Sequence, residues 1–346
     1  MNRIVAEDME YIRKRINSGK IDGSTVLISG ATGLIGRYLV RFLAEYCGCR
    51  VKAVVRDKEK AEKLFGGFRN KVEYIHSDIT QLREEDMGVE YMIHGAGITS
   101  SRSFTSQPAE VIKTSVEGTR RVLEFARRNP VRSYVYLSTM EVYGAPQNED
   151  KIYEKDGSNL NTMSVRSSYP ESKRLCESLC AAYLSEYNVP ARTVRLTQTF
   201  GPGVEYEDDR VFAEFARCVI EKKDIVLHTK GETKRNYLYL SDACTAILTV
   251  MTEGSQGEAY NAANEETYCS IREMAELVAK KNAGAKIQVR IEPEDGLPGN
   301  RGYAPVLCMN LDTSKLGRLG WKPEIGLYEM YERMICSILE DHPGKM

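Results

Sequence analysis

No apolar run in this 346-residue chain approaches the roughly 18–20 residues of a membrane span, so no membrane partner is expected. No charge of one sign prevails either. The formal net charge is -1, which argues against a phosphate-backbone binder, since nucleic-acid proteins carry a basic excess or patch. Internal repeats and low-complexity tracts are absent. The four histidines lie far apart with none in a ligand pattern, and Cys47-Gly48-Cys49 is too tight for the usual zinc spacing, so no metal site is expected. The nine cysteines are scattered and sit mostly inside apolar patterns (Cys176, Cys180, Cys218, Cys244, Cys336). That usage reads as reduced thiols in a cytoplasmic protein. The segment 1–21 lacks the apolar centre of a signal peptide. Its Ile4, Met9, Ile12 and Ile16 instead predict a short amphipathic helix.

What is present is globular. A hydrophobic fraction of 42% and a charged fraction of 28% are those of a soluble folded chain, long enough for one large domain or two ordinary ones.

The organising stretch is Ser29-Gly30-Ala31-Thr32-Gly33-Leu34-Ile35-Gly36. It follows a strand-like run, Thr25-Val26-Leu27-Ile28, and opens an apolar-periodic helix (Leu39, Val40, Phe42, Leu43). Glycines at this spacing let the backbone turn tightly and bring bare N–H groups and a helix N-terminus against a pyrophosphate. Glycine-rich turns of this kind also occur for packing alone.

Further strands are predicted at 50–55, 72–76, 91–94, 133–138 and 191–196, with helices at 57–65, 108–128 and 169–187. Strands alternating with helices imply right-handed crossovers and a doubly wound parallel sheet covered on both faces. Beyond Thr199 short strands (225–227, 236–239, 259–261, 287–291) mix with helices (211–221, 241–251, 271–280), and 293–305 reads as surface loop. The expected layout is an N-terminal helical extension over 1–23, a nucleotide-binding domain over 24–198 with later returning segments, and a smaller α/β lobe over 199–346 closing a cleft.

Ligands of open parallel sheets lie outside the carboxyl ends of the strands, and the chemistry-bearing residues fall there. After the second strand, Arg56 could hold a 2′-phosphate and Asp57 a ribose hydroxyl. Arg56 tilts the choice towards NADP, with NAD left open. Asp78, followed by Ile79, could accept from an adenine amino group or simply cap a helix. Ala96 and Gly97, after His94-Gly95, let a dinucleotide approach the backbone. In Tyr169-Pro170-Glu171-Ser172-Lys173, Lys173 shares a helix face with Tyr169. An adjacent ammonium and a positive nicotinamide favour the phenolate, which is then a usable base. Pro170 is tolerated because the helix is only starting. Thr139, at a strand end, can hydrogen-bond the sugar hydroxyl that Tyr169 deprotonates.

Taken together, Gly30-x-x-Gly33-x-x-Gly36, Ser138-Thr139-Met140-Glu141-Val142-Tyr143-Gly144 and Tyr169-x-x-x-Lys173 resemble the extended short-chain dehydrogenase/reductases, and within them the nucleotide-sugar epimerase/dehydratase family. The likeness continues through 195–202, 235–242 and Tyr260-Asn261 to Leu319-Gly320-Trp321-Lys322-Pro323. It implies a Rossmann-type fold and a redox-neutral, NAD- or NADP-dependent enzyme acting on a nucleotide diphosphate sugar. Tyr169 would deprotonate the 4-hydroxyl while hydride leaves C4, and the 4-keto sugar then undergoes epimerisation, loss of water or loss of CO2. The resemblance further implies cofactor contacts from Thr32, Leu34, Ile35 and Leu196, substrate contacts from Gln198, Arg235 and Arg301, and a homodimer built on the helices at 108–128 and 169–187.

Departures narrow the outcome. Sugar-nucleotide 4,6-dehydratases similar to this chain carry an acidic residue where Met140 stands, and Met140 cannot transfer a proton. Glu141 remains as a base at C5 or an orienting carboxylate, an arrangement resembling the UDP-glucuronate decarboxylases. Ser115 stands where many similar proteins have Asn, so the proton relay differs. Epimerisation or decarboxylation is therefore expected. A net NADPH-dependent carbonyl reductase and a non-catalytic cofactor sensor are the alternatives.

Overall fold

Positions that alternate along the strands alternate between the two faces of one sheet. The structure, a computed structural model, describes residues 2–83, 87–281, 287–292, 306–342 and 344. Its first half runs through α1 (Arg3–Arg15), β1 (Thr25–Ser29), α2 (Leu34–Glu45), β2 (Arg50–Val55), α3 (Lys58–Phe65), β3 (Val72–His76), β4 (Tyr91–His94), α4 (Ser101–Ser106), α5 (Pro108–Arg128), β5 (Ser133–Thr139), α6 (Ser168–Tyr187) and β6 (Ala191–Leu196). The second half adds β7 (Gln198–Phe200), α7 (Val211–Glu221), β8 (Ile225–Leu227), β9 (Lys234–Tyr239), α8 (Leu240–Glu253), β10 (Ala259–Ala262), β11 (Asn264–Ser270), α9 (Ile271–Lys281), β12 (Val289–Ile291), β13 (Cys308–Met309), α10 (Ser314–Gly317) and α11 (Leu327–Asp341).

The main sheet has seven strands in the order β3-β2-β1-β4-β5-β6-β10, and every pairing is parallel. Period-two alternation sorts its side chains. Val26, Ile28, Val135 and Leu137 enter a core shared with α1, α2 and α8. Leu27, Tyr134 and Tyr136 enter the opposite core, under α5 and α6. Burial on both faces explains why these strands read as nearly continuous apolar runs. Strand order reverses between β1 and β4, which opens a crevice at their carboxyl ends.

In the second half, β9 is flanked by β11 and β13 and also pairs with β7, while β8 pairs with β12. The core of this half is centred on Phe200, Phe212, Tyr237 and Tyr331. α8 and β10 return to the main sheet, β10 pairing with β6. The amphipathic N-terminal helix joins the two halves. Its buried Asp8 accepts hydrogen bonds from Tyr38 on α2, Tyr239 at the end of β9 and Arg333 on α11, each at 2.9 Å. Burial pushes the Asp8 carboxyl up, and Arg333 acts against it.

The predicted bounds of α5, α7, β6 and β8 coincide with the observed ones, and α6 begins one residue early, at Ser168. α4, β7, β11 and α11 are not foreseen. β11 is largely polar, and α4 carries one apolar residue, Phe104. Among the nine thiols, Cys218 is half-buried and Cys336 exposed rather than core. No helix among the described residues is long and apolar enough to cross a membrane.

Candidate active site

A cavity of about 610 Å3 opens at the carboxyl ends of the parallel strands. At one end is the glycine turn. Gly30 has φ +73°, and a Cβ there would stand 2.7 Å from the Gly95 backbone. A Cβ on Gly36 would stand 2.1 Å from Gly30 O. Glycine at these two positions is what lets β1, the end of β4 and α2 meet so closely. Gly33 caps α2 without any side-chain bond, so the first-turn N–H groups of Leu34, Ile35 and Gly36 have no intrahelical partner. All three residues border the cavity, with Thr32 beside them. An unblocked helix N-terminus reached across glycine fits a pyrophosphate, so the residues present fit a dinucleotide.

Arg56, Asp57 and Lys60 border the cavity beyond β2. The Asp57 carboxylate caps α3, accepting from Lys60 N at 2.9 Å, whereas Arg56 is exposed. Asp78 also caps a turn, accepting from Thr80 N and Oγ1 at 2.9 and 2.7 Å. These bonds hold its carboxyl below the usual range. Asp78 also borders the cavity, with Ile79. Ala96 and Gly97 follow β4 on the wall, and Leu196 ends β6 there.

At the other end, Thr139 closes β5, Glu141 sits in the next turn, and Tyr169 and Lys173 lie one helical turn apart at the start of α6. All four border the cavity. Lys173 Nζ donates to Leu137 O at 2.8 Å. Burial pulls its ammonium down, and Glu177 is among the groups opposing that. The Tyr169 phenol is pushed up by burial first and by Glu141 second, while a hydrogen bond with Thr139 and the charge of Arg166 act the other way. Thr139 and Arg166 thus oppose the upward shift of the phenol without reversing it.

Met140 borders the cavity but is buried with Val142, Tyr143 and Ile152, and its sulfur accepts from Thr197 Oγ1 at 3.2 Å. Ser115 lies off the wall. It is buried with its hydroxyl unpartnered, and its carbonyl accepts from Cys176 Sγ at 3.2 Å; Thr114 is the α5 residue at the cavity. Gln198 borders the cavity at the start of β7. Arg235 does not. It shares strand parity with Tyr237 and Tyr239, whose side chains enter the second core, and its Nε is buried without a hydrogen-bond partner. Arg301 lies outside the described residues.

Four residues escaped the sequence reading. Arg166 Nη2 pairs with Glu141 Oε2 at 2.8 Å. Phe104 stacks on Tyr169 with centroids 4.1 Å apart. Arg210 borders the cavity and donates from Nε to Asp208 Oδ1 at 2.9 Å. His94 lies buried beneath the glycine turn, its Nδ1 2.6 Å from Ser29 Oγ and its Nε2 3.1 Å from Thr119 Oγ1. Burial and Lys173 pull His94 down to about 3, so it stays neutral. A histidine ending an otherwise apolar strand was the available signal for the last of these. The other three sit in polar stretches without periodicity.

The sequence model of the NAD dependent epimerase/dehydratase family matches residues 26–263. UDP-glucuronic acid decarboxylase 3 of Arabidopsis thaliana is 31% identical over 316 residues, covering 88% of this chain and 86% of that protein. UDP-glucuronic acid decarboxylase 1 of Xenopus tropicalis is 28% identical over 322 residues, 91% of this chain and 72% of that protein. Among solved structures, UDP-glucuronic acid 4-epimerase from Bacillus cereus, in complex with UDP-glucuronic acid and NAD, superposes with a TM-score of 0.76 at 19% identity, covering 92% of this chain and 100% of the other. UDP-glucose 4-epimerase from Thermotoga maritima gives a TM-score of 0.77 at 21% identity, over 92% and 99%. With the glycine turn and the Thr139–Glu141–Tyr169–Lys173 group at the strand ends, the chain belongs to the NAD dependent epimerase/dehydratase family.

Proposed function

We propose that this protein is an NAD-dependent, redox-neutral decarboxylase of a UDP-linked uronic acid. The observation that carries the reading is the pairing of Glu141 with Arg166 beside Tyr169, together with Met140, which offers no proton for expelling a 6-hydroxyl. The similarity to UDP-glucuronic acid decarboxylases along most of the chain supports it.

The glycine turn and the α2 N-terminus would hold the pyrophosphate, Asp78, Ile79, Ala96 and Gly97 the adenosine side, and Tyr169 and Lys173 the nicotinamide ribose, with Leu196 closing the wall. The chemistry NAD supplies when bound is a reversible hydride sink for C4. Tyr169 Oη takes the proton of the sugar 4-hydroxyl while Thr139 Oγ1 holds that oxygen in place. In the resulting 4-keto acid the bond from C5 to the carboxylate breaks. CO2 leaves, and its electron pair passes into the enolate on the C4 oxygen. Glu141 orients the sugar, C5 takes a proton from water, and Tyr169 returns its own proton to the C4 oxygen as hydride comes back to C4. Gln198 and Arg210 line the place for the diphosphate, where basic groups favour a phosphate. The exposed Arg56, with Asp57 used as a cap, supports accommodation of a 2′-phosphate as well, and hence use of NADP. Ile112 on α5 and Leu175 and Tyr187 on α6 expose apolar side chains that support a homodimer through these helices.

The test is incubation with UDP-glucuronate and NAD, with products weighed by mass spectrometry. Loss of CO2 is expected. An isomer of unchanged mass would make the protein a 4-epimerase, the second reading, which the 4-keto route also allows. Net consumption of NADPH by a carbonyl compound, with no sugar product, would make it a reductase.

A further inference from the structure

The turn before α6 holds an arginine that no step of the proposed reaction uses. Arg166 Nη2 lies 2.8 Å from Glu141 Oε2, and its Cζ lies 4.7 Å from the Phe104 ring centroid, over the ring face. Phe104 in turn stacks on Tyr169, centroids 4.1 Å apart and planes 9° from parallel. α4 is tied to the start of α6 by Ser168 Oγ, which donates to Phe104 O at 3.0 Å. One guanidinium therefore touches both the carboxylate beside the Tyr169 phenol and the ring stacked on it. Planarity and a fixed fork of donors suit arginine to such a double contact.

We propose that Arg166 is a positioning residue for the Tyr169 base: it neutralises Glu141 and clamps the Phe104–Tyr169 stack, so that the phenol faces Thr139 beside a paired carboxylate. The inference rests on the reading of Tyr169 as the base of the proposed reaction. The groups facing the phenol can be named from each element. β5 and its following turn contribute Thr139 and Glu141, the turn before α6 contributes Arg166, and α4 and α5 contribute Phe104 and Val111, which do not ionise. Lys173, on the same helix, donates to Leu137 O. Glu141 pushes the phenol up and Arg166 draws it down, so removing the cation alone leaves the unfavourable neighbour bare. A close charge moves a buried group by about 1–3 pH units. Partial exposure of this pair screens it, and about one unit is expected.

The test is a titration that needs no turnover. NAD-loaded protein carrying tyrosine labelled with 13C at Cζ is followed by NMR, with the Tyr169 resonance identified by its loss in Tyr169→Phe. Arg166→Gln should raise the Tyr169 midpoint by about one pH unit, and Arg166→Lys should recover more than half of that shift, its ammonium still facing Glu141. Glu141→Gln should lower the midpoint, which keeps the proposal testable if Arg166→Gln does not fold. A midpoint indifferent to both Glu141→Gln and the Arg166 variants overturns the proposal. Where UDP-glucuronate is turned over, the acidic limb of kcat/KM should move with the NMR midpoint. Absence of turnover on every nucleotide sugar would count against the proposed function and leave the titration to decide this inference.

Discussion

Adding one methyl group to the glycine turn separates protein packing from cofactor binding. In Gly36→Ala the new Cβ meets the Ala31 and Gly30 backbone at 2.9 Å and Gly30 O at 2.1 Å, the latter more than 1 Å short of the 3.4 Å at which ordinary contact begins. The neighbours are backbone, so relief requires α2 to move away from β1. Alanine gains about 1 kcal/mol over glycine in a helix, against an overpacking cost of about 1–3 kcal/mol or more. Contact with a carbonyl oxygen at that range decides for the cost. Because α2 carries the N–H groups facing the cavity, its displacement should weaken NAD binding by about 5- to 150-fold, along with a lower melting temperature. Gly33→Ala is the contrast. Its Cβ meets only Gly30 O, at 3.2 Å, and its φ of -74° suits any residue. Its melting temperature should stay close to wild type while NAD affinity falls, since the methyl stands at the helix N-terminus where the pyrophosphate would lie. Calorimetric titration with NAD and thermal unfolding of both variants make the comparison. If Gly36→Ala bound NAD and melted as wild type does, the close approach of α2 to the turn would be irrelevant to the site, and the reasoning would fail.

Other outcomes follow from the same geometry. His94 stays neutral in the fold, with its value pulled from 6.5 to about 3, whereas an unfolded histidine protonates. The unfolded chain therefore binds the extra proton, and stability falls as pH drops from about 6.5 towards 3. Urea unfolding at pH 7 and pH 5 should show a loss of about 2 kcal/mol in wild type that is missing in His94→Gln; equal losses would exclude the buried neutral histidine. Arg56→Ala should weaken NADP by about 10- to 150-fold and leave NAD nearly unchanged in fluorescence titrations. A parallel loss for both cofactors would remove Arg56 from 2′-phosphate recognition. Leu175→Glu should convert a dimer to monomer in light scattering, and a surviving dimer would place the interface elsewhere.

Much of this arrangement is legible before folding because period-two burial and the glycine turn are local. Leu27 lies between Val26 and Ile28, and that alternation alone sets which core each side chain enters. Strand ends are legible for the same reason, so Thr139, Asp78 and Gly97 could be placed at one rim. Arg235 shows where the logic stops. Its motif marks it for the substrate, while strand parity with Tyr237 and Tyr239 and a buried, unpartnered Nε are tertiary facts that the motif does not carry. Arg166 and Phe104 were hidden by a different cause. They sit in short polar segments, and only the tertiary docking of α4 against α6 brings them to Tyr169. α11, by contrast, carries a local stripe in Leu327, Met330, Tyr331, Met334 and Ile338, all buried, whose helical spacing is legible in the sequence.

The central claim is that Tyr169 drives a 4-keto route in which the hydride taken from C4 returns to C4. UDP-glucuronate deuterated at C4, incubated with the NAD-loaded protein, tests it most directly. Deuterium retained at C4 of a product that has lost CO2, and no product from Tyr169→Phe, is the predicted result. Product lacking the label with one reduced cofactor formed per sugar, or unimpaired turnover by Tyr169→Phe, would contradict it.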